Sequence, residues 1–137
     1  MRKVLGQVAL LVILLTIVSS AISCKSSPSS IPNESAIRAY ADPVTEATLQ
    51  GLSENNLAKY TQNASSEFKA AVTQEILDKT ADQINNQFGT YTSKEFLKIE
   101  EQDGYIIIHY KAQYSKGEVG IRMVFDEDHL VAGQWFE

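Results

Sequence analysis

The apolar residues of this chain keep helical intervals as far as Phe88 and two-residue intervals from Thr90 onward, with Gly89 between the two regimes. A period of 3.6 buries a stripe of a helix and a period of two buries one face of a strand, so the chain divides into a helical half and a sheet half. Ile37, Tyr40, Ala41, Val44, Thr48, Leu49 and Leu52 form the first helical block. Asp42-Pro43 inside it suits an N-cap and a first helical position, so a helix restarts or kinks there. Gly51 and Ser53-Glu54-Asn55-Asn56 close the block, and Leu57-Ala58-Lys59-Tyr60 makes one short turn. A second block places Phe68, Val72, Ile76, Ala81, Ile84 and Phe88 on one stripe, which Gly89 ends as a C-terminal cap.

The segment from Tyr105 to Tyr114 is the strongest strand signal. Asp103-Gly104, a preferred hairpin dipeptide, pairs it with residues 91–101. Lys116-Gly117 turns the chain into a third strand, in which Val119, Ile121, Met123 and Phe125 share one face. Asp126-Glu127-Asp128-His129 makes the last turn, before Leu130 to Phe136. The expected class is therefore α+β, with N-terminal helices packed on a curved four-stranded antiparallel sheet, because local hairpins need no crossover helix.

Ahead of this domain, Arg2-Lys3, the apolar run Val8 to Val18, and Ser19-Ser20-Ala21 follow the order of an export signal. Ala21-Ile22-Ser23-Cys24 resembles the lipobox of lipoprotein precursors, in which a small residue precedes a cysteine that receives a diacylglyceryl group. Ala21 stands where leucine is usual. The expected organisation is a lipoprotein signal peptide over 1–23, a Ser/Pro-rich tether over 24–33 and a single domain over 34–137. An uncleaved membrane helix and a plain secretory signal are the alternatives. Cys24 is the sole cysteine, so no internal disulfide can form, and a lipid on it would place the domain on the outer side of the cell membrane or the periplasmic face of an outer membrane.

Without Arg2 and Lys3 the chain keeps 10 basic against 17 acidic residues, a formal charge of −7. No basic cluster follows Lys25, which excludes nucleic acid as a partner.

Leu49-x-Gly51-Leu52, Leu57-x-x-Tyr60, Gly89-x-Tyr91, Tyr105 to Tyr110, Val124-Phe125 and Gly133-x-Trp135-Phe136 together resemble an uncharacterised prokaryotic lipoprotein domain within the nuclear-transport-factor-2-like, ketosteroid isomerase-like cone superfamily. The likeness runs from Ser35 to the end. It implies a cone-like fold and no particular activity, although some members of the superfamily hold an acid and hydroxyl donors inside the cone.

Few residues here carry recognisable chemistry. His109 lies on the strand face opposite Ile106, Ile108 and Tyr110, so it is expected to meet solvent or a cross-strand partner. His129 sits in an acidic turn. Asp126-Glu127-Asp128 lacks the ligand spacing of a calcium loop, and no cofactor or metal set is expected. Asn33-Glu34-Ser35 and Asn63-Ala64-Ser65 match the glycosylation sequon without consequence in a prokaryotic cell. The reading is an envelope domain, monomeric or dimeric, that binds a protein or wall component. The alternative is a small ligand in the cone mouth lined by Tyr110, Met123 and Trp135, and a ketosteroid isomerase-like enzyme stands behind both.

The anchor is directly testable. Intact cells are expected to incorporate labelled fatty acid into the protein, and Cys24→Ser is expected to abolish it; a serine variant that still labels sinks the lipid assignment.

Overall fold

The computed structural model describes residues 33–137; the expected signal peptide, Cys24 and the expected tether before Asn33 lie outside the described residues. Four helices precede four strands: α1 (Glu34–Ser53), α2 (Leu57–Tyr60), α3 (Ser66–Ala71), α4 (Gln74–Phe88), β1 (Tyr91–Gln102), β2 (Tyr105–Tyr114), β3 (Gly117–Phe125) and β4 (Val131–Phe136). The strands form one antiparallel sheet in the order β1-β2-β3-β4. This is the expected α+β order.

Helix α1 runs unbroken through Pro43, so the chain neither caps nor restarts at Asp42. Proline removes the N–H that Ala39 would otherwise bond, but Ala39 and Pro43 both face outward, where water can satisfy that carbonyl. The helix buries Ala41, Thr45, Thr48, Leu49 and Leu52, a stripe with helical spacing. Gly51 is buried too, and the reason is contact distance: a Cβ there would stand 2.5 Å from the backbone nitrogen of Tyr60. Leu49-x-Gly51-Leu52 and Leu57-x-x-Tyr60 are thus two halves of one close approach between α1 and α2.

The second helical block is two helices. Ser65 caps α3 and Thr73 caps α4, each side chain accepting a backbone N–H three residues on. The restart at Thr73 resets the helical phase, so α4 buries Leu77, Ala81 and Ile84. Ile76, expected on the buried stripe, is 47% exposed, while Leu77 is 1% exposed. Between the pieces, residues 63–65 run beside the start of β4. Ser65 N–H donates to the Val131 carbonyl and Val131 N–H to that of Asn63, both at 2.9 Å.

Asp103 and Gly104 both adopt positive φ, 53° and 83°, as a two-residue hairpin turn requires. The inward row of β2 and β3, Ile108, Tyr110, Ala112, Ile121, Met123 and Phe125, is sealed under the helices. Tyr60 and Tyr114 close the core at the far end. Burial pushes both phenols up to about 12, with Tyr114 adding to the effect on Tyr60.

Two outcomes follow. Leu77→Ala should cost about 2–5 kcal/mol in urea unfolding, whereas Ile76→Ala should stay within about 0.5 kcal/mol; equal costs would contradict the helical phase of α4. Tyr60 and Tyr114 ionise near the ordinary phenol value of 10.0 when unfolded and near 12 when folded, so their contribution is intact below about pH 10 and is lost as pH rises toward 12. The melting temperature should fall across that window, and Tyr60→Phe should flatten the fall.

Candidate functional site

Strand parity decides which side chains point away from the helices, and three irregularities change it. In β1 the register shifts between Tyr91 and Ser93 and between Phe96 and Lys98, which sets Thr92 and Leu97 out of step. In β4, Phe125 pairs with Val131 but Val124 pairs with Gly133, so Ala132 is an extra residue. Counting by twos from the buried Val131 would turn Trp135 inward. The bulge turns it outward instead, paired with Arg122 and 45% exposed.

The sequence therefore proposes three lining residues that the fold separates. Tyr110 and Met123 lie in the core, 1% and 0% exposed, packed against the helices, while Trp135 lies on the opposite face of the sheet. They form no common site. The Gly133-x-Trp135 pair has a local cause: a Cβ at residue 133 would collide with the indole ring, so glycine lets Trp135 lie against its own strand.

No described element covers the outer face. Across it runs one register row with a residue from each strand: Lys98, His109, Arg122 and Trp135. Three basic side chains side by side would repel, and two carboxylates relieve them. Glu100 meets Lys98 at 2.7 Å and the His109 Nε2 at 3.0 Å; Glu137 meets the His109 Nδ1 at 3.2 Å and the Arg122 Nε at 3.6 Å. The Arg122 guanidinium stands over the Trp135 ring at 4.6 Å, a cation–π contact. Lys98, and after it His109, hold the Glu100 carboxyl below the usual carboxylate range. Sequence parity places His109 on this face, and the register identifies its partners.

Beneath the sheet, α1 contributes carboxylates one turn apart. Tyr110 donates to Asp42 at 2.8 Å, and Arg38 donates to the other oxygen of Asp42 from Nε and Nη2 at 3.2 and 3.0 Å. Tyr91 donates to Glu46 at 2.7 Å, Lys94 stands 3.5 Å from the same oxygen, and Gln50 donates to the other. Burial first, and then these hydrogen bonds, push both phenols above their ordinary range, so they serve as donors. Acid and hydroxyl groups do meet here, but every oxygen of Asp42 and Glu46 already has a partner within the fold. Their arrangement clasps α1 to the sheet.

An open groove of about 280 Å³ lies where the start of α1 meets the β1–β2 and β3–β4 turns, with Ile37, Tyr40, Ile106 and His129 in its wall. The His129 ring is stacked on Tyr40 with centroids 4.0 Å apart and planes within 5°. The acidic turn beside it is built on Asp126, whose Oδ1 accepts from the N–H groups of Asp128 and Leu130. Among the described residues no set of three or more His, Cys, Asp or Glu is arranged to hold a metal ion.

The fold has a solved counterpart. The NMR structure of a protein from Ruminococcus gnavus ATCC 29149 is similar, with a TM-score of 0.53 and 16% identity over 80% of this chain and 94% of that one, a likeness of architecture alone. No functionally curated protein matches the chain. The family described as "Protein of unknown function (DUF3887)" matches residues 45–133, from the middle of α1 to the bulged strand that carries Gly133. That span takes in α2 to α4, β1 to β3 and the Glu46–Tyr91 pair, while Arg38 and Asp42 precede it, and the chain belongs to this family of unknown function.

Proposed function

We propose that the protein is a membrane-anchored envelope lipoprotein whose domain works by binding, through the outer face of its sheet, to a protein or wall component. The observation that supports this reading is the asymmetry of the sheet: side chains fill the space under the helices, while the opposite face stays uncovered among the described residues. That face is pre-organised by cross-strand pairs and presents an exposed indole with an arginine over it, the residue types that most often carry interface energy. The anchor comes from the lipobox at Ala21 to Cys24, and the tether gives the domain reach from the membrane.

A small ligand is the second reading, favoured by the groove at Ile37, Tyr40, Ile106 and His129 in place of the cone interior.

Photocrosslinking in intact cells separates the two readings. A photoreactive residue at Val124, on the outer face, should give a discrete adduct, whereas one at Gln83, on the exposed side of α4, should not. Arg122→Glu with Trp135→Ala should remove the Val124 adduct. Equal labelling from both positions, or none from Val124, would overturn the binding-face reading.

A further inference from the structure

We propose that the proton on His109 is a pH-set latch on the outer sheet face: the charged ring ties Glu137 to the centre of the sheet, and losing the proton passes Glu137 to Arg122 and so alters the surroundings of Trp135. The proposal concerns regulation of the face assigned above to binding, and rests on that reading for its biological use.

Both ring nitrogens of His109 face carboxylate oxygens, Nε2 toward Glu100 at 3.0 Å and Nδ1 toward Glu137 at 3.2 Å. An ionised carboxylate only accepts, and a neutral imidazole has one donor and one acceptor. Only the doubly protonated ring satisfies both partners. The side chain is 13% exposed and lies among charges from every strand around it: Lys98 and Glu100 on β1, Lys111 on its own β2, Arg122 on β3 and Glu137 just past β4.

Removing the proton leaves a nitrogen lone pair against one of the two carboxylates, and the geometry selects which contact breaks. Glu100 is bonded to Lys98 at 2.7 Å and its carboxyl is held below the usual range, so that arm stays in place at neutral pH. Glu137 makes the longer contact to the ring and has a second partner within reach, Arg122 at 3.6 Å. Arg122 in turn lies over the indole. The change therefore travels from imidazole to carboxylate to guanidinium to Trp135 along one register row. Histidine is the side chain whose charge ordinarily changes between about pH 5 and 8.

Trp135 is the sole tryptophan, so the emission of the purified full chain reads this row directly. Titrated from pH 5 to 8, the emission maximum should follow a one-proton curve. His109→Gln and Glu137→Gln should each flatten it, and His129→Gln should leave it unchanged. A flat wild-type titration, or a curve that survives either of the first two substitutions, overturns the latch; circular dichroism confirms that each variant is folded, and Glu137→Gln carries the test if His109→Gln is not. No partner is present in the cuvette, so a flat curve leaves the binding reading intact, and a missing Val124 crosslink leaves the latch intact.

Discussion

Burial of Ile108, Tyr110, Ile121, Met123 and Phe125 beneath the helices fixes which side of each strand faces inward. These side chains bury a large apolar area, and a one-residue slip of register would turn the set into water and bring His109 and Arg122 into the core. The cost of such a slip holds the register, and the register alone brings Lys98, His109, Arg122 and Trp135 into one row. The polar outer face is in this sense a product of the apolar inner one.

The clasp on α1 complements that packing. Apolar burial holds a helix close without fixing its rotation or its position along its axis. The pairs Asp42 with Tyr110 and Glu46 with Tyr91 fix both, because each needs a particular turn of the helix opposite a particular strand residue. Carboxylates with all their acceptors engaged inside the fold are poor candidates for proton transfer. The same residues that resemble an acid–hydroxyl site in composition are, by their partners, structural.

Much of the architecture was legible because it is local. The change of period at Gly89, the Asp103-Gly104 turn and the alternation from Val119 to Phe125 each lie within a few residues and give the helix-then-sheet order correctly. The expectations that needed correction fail where one residue changes a phase. Thr73 restarts a helix and exchanges Ile76 for Leu77; Ala132 bulges a strand and turns Trp135 out. Pro43 shows the converse, since a residue that ordinarily breaks a helix is tolerated on a face open to water. The clasp was beyond sequence reasoning for another reason: Asp42 and Tyr110 are 68 residues apart, and no local pattern links the two. The groove at Tyr40 and His129 likewise joins the first helix to the last turn.

That separation also bears on the order in which the molecule can assemble. Each hairpin of the meander closes through a turn of a few residues, so the sheet can zip from neighbour to neighbour at small entropic cost. Helix α1 has no such local route to the sheet, because Tyr91 and Tyr110 lie 45 and 68 positions further along the chain than the carboxylates they bind. A chain released N-terminus first thus presents this helix before the strands that will hold it. The first described helix waits on strands made later, and the part of its apolar stripe that meets the sheet stays open to water or to a holding chaperone until β2 arrives.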